Sequence, residues 1–361
     1  MLSKGVPSTF ANIKALYRDS AKKATILELV EGYASDKPAN GSADAQANGT
    51  SDRFEQSVYY FLAQHYNYYL SRDLNKAMSY IEKAIKIAPK SVDYAMTKAR
   101  ILKHKGDTEA AAEAMNKARE LDEKDRYINT KCAKYQLRNN DNDAAIKTMS
   151  KFTRNETVGG PLGDLHDMQC MWYITEDGEA YMRQGKLSLA LKRFTAIYDI
   201  FDVWQEDQFD FHSFSLRKGQ IRAYVDMLRW EDKLREHPFY SRAAINAVKI
   251  YLQLYEKPYT NGTAATDGMD AKAKKKAAVK ARKEQEKAEA ERKEAEKKKK
   301  PGTGGDGEPK KEDPDPQGLT LVQTEKPLED AMKFLQPLLE MSPKNIEAQI
   351  DGFKVFIRRS K

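Results

Sequence analysis

One spacing governs a large part of this chain. Ala77, Ala111 and Ala145 stand 34 residues apart, as do Ile81, Met115 and Met149, and as do Ala84, Ala118 and Phe152. Three registers sharing one period imply a repeated unit. A unit of this length holds two helices, and it buries its apolar face only by stacking on its neighbours. The small residues Ala77 and Ala84 let adjacent helices approach closely. Asn75, Gly106-Asp107 and Asn140-Asp141 fall near the turns between helices, where a cap or a left-handed residue is useful.

The period is that of the tetratricopeptide (TPR) repeat. The first repeat fits its template best: Phe61 and Tyr68 on the first helix, Ala77, Ile81 and Ala84 on the second, Pro89 at the close. A fourth repeat follows out of phase, with Gly178, Tyr181, Gly185, Ala190, Phe194 and Ile197 on the same template. Ala145 and Ala190 are 45 residues apart, one period plus an insertion around Val158–Met168. Gly159, Gly160, Pro161 and Gly163 mark that insertion as a loop. The expected fold is an all-α TPR-type solenoid, a right-handed superhelix of helix pairs with disordered insertions.

The organisation read along the chain is a helix pair over 1–34, two short helices meeting near Asp19, and a flexible linker over 35–53. Three repeats occupy 54–157, a loop 158–170, a fourth repeat 171–203 and a helical block 204–258. A Lys/Glu-rich insertion and linker fill 259–318. Repeat signals return over 319–361, with Ala331, Leu335, Leu338 and Pro343 at second-helix positions. Ile346–Arg358 then reads as a first helix whose partner lies beyond Lys361. The chain is expected to be a piece of a longer scaffold.

The net charge of +8 is local. Residues 271–300 hold 14 Lys/Arg against six Glu, so the other 331 residues sum to zero. This segment is read three ways: a solubilising insert, a contact for ribosomal RNA phosphates, or a nuclear import signal. No membrane or DNA partner is expected, because no run of about 18 apolar residues exists and the basicity is confined to one segment. The first residues lack the apolar core of a secretory signal. Cys132 and Cys170 have no metal or redox spacing and fit a reducing compartment.

No catalytic set emerges. Gly178 and Gly185-Lys186 have the wrong spacing for a phosphate loop, and the Gly-rich turn that grips acetyl-CoA has no counterpart. Glu206, Asp207, Asp210 and His212 do not share one helical face, which argues against a metal site. His65, His104, His166 and His237 are scattered.

In such arrays the first helix of each repeat lines the concave groove. On that template Arg100, Lys103 and His104 face the groove from the second repeat, and Lys134 and Arg138 from the third, with Lys131 one turn before Lys134. Convergent cations attract an anionic ligand, although a solvated charged face explains the same residues. Tyr59, Leu62, Tyr66 and Tyr69 offer an aromatic groove surface for a protein partner, or packing against the next repeat.

Longer runs carry a more specific signal. YFLAQHYNY (Tyr60–Tyr68), KARILKHKGD (Lys98–Asp107), DRYINTKCAKY (Asp125–Tyr135), SKFTRNET (Ser150–Thr157) and DMQCMWY (Asp167–Tyr173) closely resemble the auxiliary subunit of the NatA N-terminal acetyltransferase complex. So do EDQFDFHSFSLRK (Glu206–Lys218), RAYVDMLRWEDKLREHPFY (Arg222–Tyr240), AVKIYLQLYEKP (Ala247–Pro258) and KFLQPLLEMSPKNIEA (Lys333–Ala348). The resemblance implies a non-catalytic scaffold that wraps a small GNAT-fold acetyltransferase and tethers it to the ribosome in the cytoplasm, with a minor nuclear pool. It also implies that positions in KARILKH and KCAKY contribute to an inositol hexakisphosphate site joining scaffold to catalytic subunit. A generic TPR adaptor or co-chaperone that binds a peptide is the alternative.

Overall fold

The computed structural model describes residues 1–35, 50–259 and 313–360. Among them are 16 α-helices and no strand. The Lys/Glu-rich segment 271–300 lies outside the described residues, as does most of the 35–53 linker. The chain divides into two compact units, Met1–Phe152 and Thr153–Lys361.

The first unit opens with α1 (Thr9–Ile13), a 3-10 stretch (Lys14–Arg18) and α2 (Ser20–Ser35). The break falls at Asp19, whose backbone is extended. Its carboxylate accepts from the N–H groups of Ala21 and Lys22, which start α2. Three helix pairs follow: α3 (Thr50–Asn67) with α4 (Leu74–Ile87), α5 (Val92–Lys105) with α6 (Thr108–Glu120), and α7 (Arg126–Arg138) with α8 (Asn142–Met149).

The 34-residue register is set physically at the second helices. Asp73, Asp107 and Asp141 each stand one residue before such a helix and cap it. Asp73 accepts from Asn75 and Lys76, Asp107 from Ala110, and Asp141 from Ala144, all at 2.9–3.1 Å. These bonds satisfy amide donors that the helix itself leaves without partners. Gly106 and Asn140, also 34 apart, take the left-handed conformation that ends the preceding helix. Ala77, Ile81, Ala84, Ala111, Met115, Ala118, Ala145 and Met149 are all buried between helices.

The second unit begins with α9 (Gly160–Asp167), where the sequence predicts only a loop. The glycines serve its start. Gly159 and Gly160 adopt positive φ, and a Cβ on Gly163 would lie 2.1 Å from the Val158 carbonyl oxygen. Asp164 then ties the segment down, accepting from the Arg154 backbone N–H and, at 2.7 Å, from its guanidinium.

Next come α10 (Met171–Arg183), the long α11 (Leu187–Arg217), α12 (Ile221–Glu231) and α13 (Pro238–Glu256). Ala190, Phe194 and Ile197 of α11 are buried. A Cβ on Gly178 of α10 would lie 2.8 Å from the Phe194 ring of α11, so glycine is what permits this approach. Beyond the insertion, α14 (Leu319–Val322), α15 (Pro327–Met341) and α16 (Ile346–Arg359) complete the unit. α15 packs directly on α13, and Ala331, Leu335 and Leu338 are buried with Tyr240, Val248 and Tyr251. Lys192 of α11 pairs with Asp313 at 2.8 Å where the described chain resumes.

Candidate functional site

The cationic residues singled out in the sequence meet in the first unit. Arg100, Lys103 and His104 lie on the last two turns of α5, and Lys134 and Arg138 on α7. Lys103 is half-buried, and its pKa is held below the ordinary lysine value. Burial is the first cause; the charges of Arg138, Arg100, Arg72 and Lys134 add to it. Like charges near a partly buried ammonium disfavour its protonated form. The joint effect of the other four on Lys103 places these five cations in one neighbourhood.

His104 belongs to the same cluster. Its Nδ1 lies 2.6 Å from the Asn67 amide oxygen at the end of α3. Burial, Lys103, Arg72 and Arg100 together bring its pKa down to about 4. Lys131 is turned elsewhere: its ammonium sits 5.1 Å from the ring centroid of Tyr127 on its own helix, a cation–π contact. It is not among the principal charges acting on Lys103.

Arg72 is a member that the sequence reading missed. That reading placed only first-helix positions in the groove, whereas Arg72 lies on the connection between α3 and α4. This connection is six residues long against two between α5 and α6. Arg72 holds the place that Gly106 and Asn140 hold one and two periods later. The longer corner and the register together are the signal that points to it.

The aromatic surface divides differently. Tyr69 is exposed and Tyr59 half-buried, its hydroxyl donating to Glu55 at 2.7 Å. Lys83 lies over the rings of Tyr59 and Tyr80. Leu62 and Tyr66 are not groove residues. Leu62 is fully buried with Phe10, Val30 and Phe61. The Tyr66 ring stacks on Tyr80, and its hydroxyl donates to Glu31 of α2 at 2.5 Å. The first unit's leading helices cover this side of α3, which a reading of the repeat alone leaves open.

Other candidate chemistry is limited. Among the described residues no group of three or more His, Cys, Asp or Glu is placed to hold a metal ion. Asp210 and His212 fall outside the described side chains. Burial pushes the Cys132 thiol up to about 11, which keeps it protonated. No helix is long and apolar enough to cross a membrane, among the described residues. The cluster can engage an anion: arginines offer paired donors, and lysines offer mobile point charges.

Comparison with known proteins bears on the whole chain. The family model for the N-terminal acetyltransferase A auxiliary subunit matches residues 1–361. The NAA15 auxiliary subunit of the Arabidopsis thaliana N-terminal acetyltransferase A complex is 40% identical over 367 residues, covering 100% of this chain and 40% of that protein. Human N-alpha-acetyltransferase 16, a NatA auxiliary subunit, is 43% identical over 376 residues, covering 99% and 43%. A chain of the solved structure of Naa15/Naa10 bound to HypK-THB matches with TM-score 0.79 and 52% identity, covering 100% of this chain and 45% of that one. This chain thus spans less than half the length of the relatives it matches. With the period, the caps and the full-length match in agreement, the chain belongs to the NatA auxiliary subunit family.

Proposed function

We propose that this chain is a segment of a non-catalytic scaffold that holds a GNAT-fold N-terminal acetyltransferase and presents it to nascent chains. The observation carrying this reading is the match along its full length, at 52% identity, to a protein solved with Naa10. The exposed Tyr69 and half-buried Tyr59 supply aromatic surface of the kind that anchors protein partners. The scaffold works in the cytoplasm at the ribosome, during translation. Ribosomal RNA contact through residues 271–300 is part of the same proposal, on the strength of their charge alone.

The cationic cluster is proposed to bind inositol hexakisphosphate, which joins scaffold to catalytic subunit. Lys103, half-buried and held below the ordinary lysine value by burial and by the cations around it, is stabilised by a ligand carrying many negative charges, and one inositol polyphosphate can reach three repeats at once. The residues proposed to hold it are Arg72, Arg100, Lys103, His104, Lys134 and Arg138, with Lys131 at the margin.

Co-expression with a tagged Naa10-type subunit tests both statements. The chain is expected to co-purify with the tag, and the Arg100→Glu/Lys134→Glu double variant to be lost from the eluate. Absence of the unaltered chain from the eluate refutes the scaffold reading. Equal recovery of the double variant refutes the anion bridge.

A further inference from the structure

Of Arg72, Arg100, Lys103, His104, Lys134 and Arg138, only His104 has an ordinary pKa near neutrality. The others enter as cations; His104 enters as a neutral ring. Its surroundings explain why. From α3 it meets the buried amide of Asn67. With that oxygen accepting, Nδ1 carries the hydrogen and Nε2 keeps its lone pair.

The charges acting on the ring are cationic: Lys103 and Arg100 on its own helix and Arg72 from the α3–α4 connection. Lys134 and Arg138 of α7 act on the adjacent Lys103. No carboxylate is among the principal charges acting on the ring, and Asp73 is engaged in capping α4. Glu82 pairs with Lys98 at 3.0 Å, and Asp107 caps α6. On the α4 side, Asn75 accepts from Lys105. A ring so placed is half-buried, uncharged, and poised among positive charges.

A polyanion reverses the sign of that field. It neutralises the arginines and lysines that oppose protonation and adds negative charge beside the imidazole. We propose that His104 is the proton-accepting member of the site: a bound polyanion converts it to imidazolium, so binding takes up a proton and affinity rises as pH falls. The proton comes from solvent and settles on Nε2, while Nδ1 keeps its bond to Asn67. This inference rests on the polyanion reading of the cluster. It adds that the site is tuned by pH and that one residue carries the tuning.

Linkage fixes the sign. Free His104 titrates at about 4. If the bound state titrates higher, protons are taken up between the two values, and affinity grows toward tenfold per pH unit as an upper bound. Above the bound-state pKa the ring is neutral in both states and contributes no pH dependence.

Titration calorimetry on the full chain, with inositol hexakisphosphate as probe and buffers of different ionisation heat, tests this. His104→Gln keeps a group able to bond Asn67 and cannot titrate. At about pH 8, whatever affinity the lost contact costs the variant, both proteins are expected to take up the same number of protons on binding. At about pH 6 the wild type is expected to bind several-fold tighter and to take up as much as one proton more than the variant. Because the probe's own protons cancel in that difference, the excess belongs to His104. A second readout needs no variant to fold: the wild-type His104 imidazole carbon signal should move toward its protonated position when probe is added at about pH 6. Equal uptake in both proteins, or an unmoved signal, overturns the proposal while leaving the anion site standing. No binding by the wild type at any pH overturns the anion site itself, and this inference with it.

Discussion

Arg193 of α11 donates to Asp177 of α10 at 2.6 Å, with both side chains almost wholly buried. The pair sits beside Gly178, where the Phe194 ring leaves no room for a Cβ, so charge pairing and close packing join α10 and α11 at one place. Removing Asp177 leaves the buried Arg193 guanidinium without this carboxylate, away from water. Asp177→Ala is expected to destabilise the second unit by about 3–5 kcal/mol. The Asp177→Leu/Arg193→Met double variant should lose less, because neither charge is left alone. Urea unfolding of the three proteins checks the ranking, and a double variant weaker than the single would contradict it.

Leu62 and Tyr69 test which side of α3 is free. Leu62→Ala empties a closed core position and should cost about 2–5 kcal/mol. Tyr69→Ala removes an exposed ring and should change stability by less than about 0.5 kcal/mol. Its effect is expected in capture of the catalytic subunit. Thermal melts together with pull-downs separate the two roles.

Lys103 bears the repulsion of its neighbours in the free protein. Lys103→Met keeps most of the side chain's bulk and removes the charge. Without polyanion the variant should melt at the wild-type temperature or slightly above it. With inositol hexakisphosphate present, the wild type should gain more than the variant. A larger gain in the variant would show that Lys103 is outside the site.

His65 makes the first unit sensitive to acid. It accepts from, or donates to, Tyr17 at 2.8 Å within the aromatic core. Burial lowers its pKa from 6.5 to about 4. The folded-state value lies below the unfolded one, so its contribution is complete above about 6.5 and is lost as pH falls toward 4. The loss should reach about 2–3 kcal/mol. His65→Gln keeps a polar partner for Tyr17 and should flatten the profile. Urea midpoints across this pH range read the difference.

The repeats were legible because their constraint is local and periodic. A 34-residue recurrence of Ala, of Ile or Met, and of Ala or Phe marks the helix face that packs on its neighbours, and Asp73, Asp107 and Asp141 repeat with it. Arg100, Lys103, His104, Lys134 and Arg138 were legible for the same reason, since register carries them to adjacent first helices. Arg72 was not, because the length of a corner decides where its side chain goes. The burial of Leu62 and Tyr66 depends on Phe10, Tyr17 and Glu31, which come from outside the repeat. The helix Gly160–Asp167 was hidden by its glycines, which read as a loop but serve its positive-φ start and its close passage by Val158.

The direct packing of α15 on α13 means that spatial succession in the second unit ignores some seventy positions of sequence. Lys192 with Asp313, and Gly318 passing close to the Ser188 backbone, fix where the described chain resumes. The core of the second unit is completed only when Ala331, Leu335 and Leu338 reach Tyr240, Val248 and Tyr251. The earlier helices of this unit therefore cannot bury their full apolar surface until that later sequence has been made.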